Sequence, residues 1–240
     1  MAGEIRIERR FRGPTGSGNG GWTAGRLAER HLAAAGDGPI QVTLRRPPPL
    51  DTPLTVDTDG DDTRLLAADG GVVAEAVAGT LSDPVSPVDV EAAHRAERDY
   101  TGFRNHPFPE CFTCGTARTE GDGMRVFPGP LGSGRTACTW IPHPAMAGPD
   151  GRLDPAYVWA ALDCPGGWTG DLEGRPMVLG RMTAQVDARP VAGETHIAVG
   201  RLLGVDGRKT STASTVYDSG GRVVGTAVHV WIAIDPARFS

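Results

Sequence analysis

The residues most able to do chemistry fall at three places in this chain. The first is Asp163, which closes the apolar run Pro155-Ala156-Tyr157-Val158-Trp159-Ala160-Ala161-Leu162. An acid at the end of such a run is costly to bury unless it is hydrogen-bonded or has a task. Burial would raise its pKa towards that of a general base working near neutral pH, and a carboxylate can also attack a carbonyl directly. The plainer role is to bond the amides around Gly166-Gly167. The second place is the loop 13–21. Its Gly16-Ser17-Gly18-Asn19-Gly20-Gly21 formally matches the dinucleotide fingerprint Gly-x-Gly-x-x-Gly. Everything after the next helix has an antiparallel pattern with no second βαβ unit, so nucleotide binding is not expected. The third place is cysteine. Cys111 and Cys114 have metal-ligand spacing, and Cys138 and Cys164 could complete a set of four. A structural zinc site usually brings a second close pair, which is missing here, so neither a metal nor another cofactor is expected. Cys164, beside Asp163, lacks a histidine nearby in sequence to activate it as a nucleophile.

Two helices must position these groups. Asp154 is a good N-cap and Pro155 suits a first helical position, where no amide donor is needed. The segment 155–163 is apolar all round and predicts a buried helix, which Cys164-Pro165-Gly166-Gly167 should stop or kink. Residues 22–35 (WTAGRLAERHLAAA) have helical spacing, with Ala24, Leu27, Ala28, His31 and Ala35 on one face, and Gly36-Asp37-Gly38-Pro39 ends the run. His31 reads as a satisfied core histidine.

The rest reads as strand. Alternation marks 4–11 and 40–46. Residues 54–81 predict three strands with turns at Asp59-Gly60 and Asp69-Gly70-Gly71. Strands are also expected at 124–129, 135–143, 177–190, 195–207, 209–221 and 222–235. Residues 82–110, with proline at both ends and a short charged helical stretch over 88–100, read as a surface connector. LLAADGGVVAEAVAGTL (65–81) lies over TVYDSGGRVVGTAVHVW (215–231), and RRPPPLDTPLTV (45–56) over DARPVAGETHIAV (187–199). This points to an internal duplication.

A chain of 240 residues can bury a real core as one large domain or two modest ones. Its net charge of −5 argues against a nucleic-acid surface. The N-terminal MAGEIRIERRF has no apolar signal stretch, and no run approaches the roughly 18 apolar residues of a membrane span. Four cysteines do not make a disulfide scaffold in a chain of this length. A cytoplasmic, reduced protein without nucleic-acid or membrane partners is expected.

One helix wrapped by a long antiparallel sheet, repeated twice, resembles the hotdog fold in its tandem form. Cys111-Phe112-Thr113-Cys114-Gly115 with Gly121-Asp122-Gly123-Met124, and Val158-Trp159-Ala160-Ala161-Leu162-Asp163, resemble segments of hotdog acyl-CoA thioesterases of the phenylacetyl-CoA-thioesterase type. The resemblance implies an α+β fold of two tandem hotdog domains, 1–87 and 111–240, joined by a connector at 88–110 and forming a pseudo-dimer. It also implies a helix-start amide that polarises a thioester carbonyl, with a carboxylate from the other unit's helix. The N-terminal unit has Asn19-Gly20-Gly21 where the family has His-Gly-Gly, and Ala28, beside Glu29, at the acid position. The C-terminal unit keeps Asp163 but has Asp154-Pro155-Ala156 at the glycines, and Pro155 has no N–H to donate.

One composite site is therefore expected, with Gly20 and Gly21 amides from the first unit and Asp163 from the second. The reciprocal pair, Asp154-Pro155 with Ala28, should be dead. Asn19, Trp22, His143, Trp159 and Arg181 are expected beside the substrate, an acyl-CoA or acyl-carrier thioester. The chain should act as a monomer or a homodimer. The alternatives are a non-catalytic acyl-binding protein and a hotdog hydratase or dehydratase, whose sites usually pair Asp with His.

Overall fold

The computed structural model describes residues 3–235. In chain order its elements are β1 (Gly3–Arg6), α1 (Gly20–Ala35), β2 (Ile40–Leu44), β3 (Pro53–Asp59), β4 (Asp62–Leu66), β5 (Val72–Ala78), α2 (Val90–Arg98), β6 (Gly129–Gly132), β7 (Arg135–Trp140), α3 (Pro155–Gly167), β8 (Met177–Val186), β9 (His196–Asp206), β10 (Lys209–Tyr217) and β11 (Val223–Ala233). The strands form one sheet in the order β1-β3-β4-β5-β2-β8-β11-β10-β9-β7-β6, with antiparallel pairing between neighbours. β2 and β8 join its two halves, with Ile40 opposite Ala184 and Thr43 opposite Arg181. α1 lies on the first half and α3 on the second, and the two helices pack on each other. Among the described residues, no helix is long and apolar enough to cross a membrane.

The duplicated hairpins share their turn geometry. Gly70 N–H donates to Ala67 O and Gly221 N–H to Asp218 O. Both glycines have positive φ, at 76° and 78°, a region that only glycine enters without strain. Both hairpins also shift register at the last residue of the first strand, after Leu65 and after Val216. Gly70 thus corresponds to Gly221, one residue later than the sequence match, which sets it over Gly220.

Three expectations need correction. The helix expected over 155–163 runs to Gly167 and passes through Pro165. Pro165 removes one ladder donor, and sheet hydroxyls bond neighbouring carbonyls: Ser214 Oγ donates to Leu162 O at 2.6 Å and Thr136 Oγ1 to Pro165 O at 2.7 Å. Residues 124–128 are not a strand. Met124 and Val126 N–H donate instead to Phe112 and Thr113 carbonyls, which ties this stretch to the cysteine loop. The connector is not merely a surface strap, because Val85, Ala93 and Ala96 are buried in a second apolar cluster with Ala137, Val199 and Tyr217. Of the α1 face, Ala24, Leu27, Ala28 and His31 are buried, and His31 Nδ1 lies 3.1 Å from Thr63 Oγ1. The Ala35 side chain lies outside the described residues.

The helix crossing depends on missing side chains. A Cβ on Gly21 would lie 2.7 Å from Asp163 Cβ and 2.7 Å from Trp159 O, and one on Gly25 would lie 2.8 Å from Trp159 Cβ and 2.9 Å from Ala156 Cα. These neighbours are at or next to the backbone, so they cannot swing aside. Gly25→Ala should therefore lower stability by about 1–3 kcal/mol through overpacking, despite alanine's better helix propensity. Urea unfolding checks this, and an unchanged or raised midpoint would show that the helices can spread at no cost.

Candidate functional site

The site begins at the N-terminus of α1, where the first amides have no intrahelical acceptor. Asn19 is the N-cap, and its Oδ1 accepts from Trp22 N–H at 2.8 Å. A backbone N–H can only donate, so this bond fixes the amide orientation. Nδ2 then points at Asp163 Oδ2 (3.3 Å) and Cys111 Sγ (3.6 Å). Gly21 N–H donates to the same Asp163 Oδ2 at 2.9 Å. The carboxylate from the second helix therefore meets the amide end of the first, in the most closely packed part of the crossing. Asp163 Oδ1 is buried without a hydrogen-bond partner. The two donors to Asp163 are both amides, and no imidazole is among them.

Asp163 is 3% exposed. Burial pushes its carboxyl up to about 7, the Gly21 amide pulls it down, and negative charge on Cys111 would push it further up. A carboxyl so held is present in both forms near neutral pH, as a general base requires. It is also next to helix amides whose positive end could stabilise a developing oxyanion.

Asp163, Asn19 and Gly20 line a cavity of about 610 Å³. Its wall is largely apolar, including Leu44, Trp168, Met177, Leu179 and Trp231, while Arg45, Arg46 and Arg208 also border it. Arg45 pairs with Glu75, and Arg46 with Asp69 at 2.8 Å. Gly20 is the first helical residue, and a Cβ there would strike Leu179 at 2.8 Å.

The other residues expected beside the substrate do not line this cavity. Trp22 is buried, with its ring stacked on Phe11 at 3.8 Å and edge-on to Phe112 and Tyr157. Trp159 faces Gly25 and borders a second cavity of about 490 Å³. His143 is exposed and accepts from Ala145 N–H at 3.1 Å, as the cap of a short turn. Arg181 is exposed on β8. None of these four borders the larger cavity.

Sequence reasoning missed His106 and undervalued the cysteines. His106, Cys111, Cys114 and Cys164 all line the larger cavity. The loop carrying Cys111 and Cys114 reaches the site because Phe112 N–H donates to Arg12 O at 2.7 Å and Tyr100 Oη donates to Cys114 O at 3.0 Å. The Cys-x-x-Cys spacing was the available signal. Its meeting with Cys164, 50 residues on in the sequence, was invisible because it depends on where α3 docks.

The reciprocal position is built differently. Asp154 Oδ1 caps Ala156 N–H at 3.0 Å, and Arg26 bridges Glu29 (2.9 Å) and Asp154 (3.3 Å). Burial, then a hydrogen bond shared with Asp154, raises Glu29 to about 8. Asp154 is lowered: its burial acts the other way, but bonds from Glu29 and the Ala156 amide outweigh it. Glu29 thus keeps the shared proton and donates it to Asp154.

No family model and no curated protein sequence matches this chain. Solved structures do. The tesB protein of Mycobacterium avium subs paratuberculosis is similar with a TM-score of 0.60 and 16% identity, over 98% of this chain and 93% of that one. Acyl-CoA thioesterase II TesB2 of Mycobacterium marinum gives a TM-score of 0.56 at 11% identity over 91% of both chains. A hot-dog-fold protein of unknown function from Alicyclobacillus acidocaldarius gives 0.57 at 13%, over 98% and 93%. At these identities the likeness is one of architecture, and it establishes the fold of this chain as a double hotdog.

Proposed function

We propose that the chain hydrolyses the thioester of an acyl-CoA or acyl-carrier substrate at one composite site between its two helix-and-sheet units. The observation that carries this reading is the buried Asp163 carboxylate held 2.9 Å from the Gly21 amide, in the wall of an apolar cavity. The N-terminal unit supplies the amides and the C-terminal unit the acid. Gly21 N–H holds Asp163 Oδ2, which leaves Gly20 N–H, at the first helical position, to polarise the thioester carbonyl. Asp163 then takes a proton from attacking water, or attacks the carbonyl itself to give an anhydride that water opens. In both routes the C–S bond breaks, the thiolate leaves and is protonated, and the acid product carries the oxygen from water.

The name of one similar structure, acyl-CoA thioesterase II TesB2, agrees with this reading. The arginines at the cavity border suit the phosphates of CoA or of a phosphopantetheine arm, and the apolar wall suits an acyl chain. Both helix starts have a built role, but only the first sets an uncapped glycine amide beside an acid. The units are taken as 1–87 and 111–240.

Turnover of an acyl-CoA series, followed with a thiol reagent, tests the reading. Asp163→Asn should lower kcat by roughly 10²–10⁴-fold, while Glu29→Gln should leave it near wild type. Wild-type inactivity on every chain length, or loss of activity in Glu29→Gln alone, would contradict it.

Glu29 carries a separate expectation for stability. Its pKa rises from an ordinary 4.5 to about 8 in the fold, so the folded chain holds this proton more tightly than the unfolded one. The contribution is fully present below pH 4.5 and is lost as pH rises to about 8. Glu29→Gln, which keeps a donor towards Asp154, should therefore match wild type at pH 4.5 and exceed it by about 1 kcal/mol at pH 8.5. Urea unfolding at the two pH values checks this, and equal wild-type and variant stability at both would contradict it.

A further inference from the structure

Three of the four cysteines meet beside the proposed site. The Sγ atoms of Cys111, Cys114 and Cys164 all lie within 4.8 Å of one another, and all three residues are buried. We propose that these sulfurs bind one thiophilic divalent cation, tested here as zinc, with its fourth coordination position open to the cavity. The inference stands on this cluster alone and is independent of the hydrolase reading.

The local geometry is that of a ligand loop. Gly115 N–H closes a tight turn onto Cys111 O at 2.9 Å, and a Cβ on Gly115 would collide with that carbonyl. The turn presents both sulfurs to one side. The third sulfur comes from a separate element, α3, so a bound ion would tie the cysteine loop to that helix.

Directed N–H groups surround the sulfurs. Asn19 Nδ2 donates to Cys111 Sγ at 3.6 Å. Trp168 Nε1, at the C-terminal end of α3, donates to Cys114 Sγ at 3.5 Å. Apolar packing of thiols has no use for an aimed indole and an aimed carboxamide, whereas thiolates on a metal do, because outer donors spread their charge.

His106 belongs to this donor set and not to the ligands. Its Nδ1 accepts from Phe108 N–H at 2.9 Å, so the ring proton sits on Nε2, which lies 3.1 Å from Cys114 O and 3.4 Å from Cys114 Sγ. That leaves three sulfur ligands and one position for water or a ligand from the cavity. Zinc–sulfur bonds of about 2.3 Å in a tetrahedron place sulfurs about 3.8 Å apart, so closure asks for sulfur movements of about 1 Å or less. Each metal–sulfur bond that forms releases that thiol's proton to solvent, three in all if every sulfur starts protonated. The zinc-bound cluster then carries one negative charge, facing the N–H donors. Cys138, on β7, is buried outside this group and serves as a built-in control.

The experiment uses the full chain, purified without chelator and under reduction. Elemental analysis should find one zinc per chain. Cobalt substitution should give tetrahedral d–d bands with sulfur-to-cobalt charge transfer. Cys138→Ser should keep the metal and Cys164→Ser should weaken zinc binding at least roughly 100-fold. Trp168→Phe, which keeps an aromatic ring but removes the donor, should weaken it by about tenfold; this variant tests the cluster even where Cys164→Ser does not fold. Three results would overturn the proposal: substoichiometric zinc with no tetrahedral cobalt spectrum, cobalt bands that persist unchanged in Cys164→Ser, or a non-reduced intact mass lower by two hydrogens, which would make the cluster a disulfide-forming pair.

Discussion

The bond from Gly21 N–H to Asp163 Oδ2 is the constraint on which the rest depends. It exists because two helices from two units approach with almost nothing between them. Gly21 and Gly25, four residues apart and so on one face of α1, remove the side chains that would hold α3 off. The same contact buries Asp163 and supplies its donor. A buried carboxylate without a partner would cost several kcal/mol; with two amide donors it is tolerated, at a pKa near 7. Packing and electrostatics are therefore set at a single point, and the cavity opens beside it.

Around that point the two units are built differently. α1 opens on Gly20-Gly21 and carries Ala28, while α3 opens on Asp154-Pro155 and carries Asp163. The reciprocal crossing is filled by its own side chains. Glu29 and Asp154 share a proton under Arg26, and the Ala156 amide is occupied by the Asp154 cap. A capped amide is not available to a ligand.

Much of this was legible in the sequence. The hairpins announced themselves through Asp-Gly turns, because positive φ selects glycine there. The start of α3 is legible in Asp154-Pro155, since caps are local chemistry, whereas α1, expected from Trp22, begins at Gly20 with Asn19 as its cap. What failed was non-local. The run Cys164-Pro165-Gly166-Gly167 reads as a stop or kink, yet Ser214 and Thr136 on the sheet bond the carbonyls around Pro165 and the helix continues. Residues 124–128 carry a strand-like pattern but spend their amides on the cysteine loop. Asp163 was identified as a lone acid. Cys111 and Cys114 stand out by their spacing, but their meeting with Asp163 and His106 in one cavity wall does not, because the loop's path is fixed by bonds to Arg12 and Tyr100. Trp159, His143 and Arg181, expected beside the substrate, do not line the larger cavity.

A count of ligand sites tests the single-site arrangement most directly. Calorimetric titration of the full chain with a non-hydrolysable acyl-CoA thioether should give one molecule bound per chain. Two equivalent molecules per chain would mean that the Asp154-Pro155 helix start also accepts substrate and that the two units have not divided the work; no binding for any acyl length would remove the thioester from the cavity altogether.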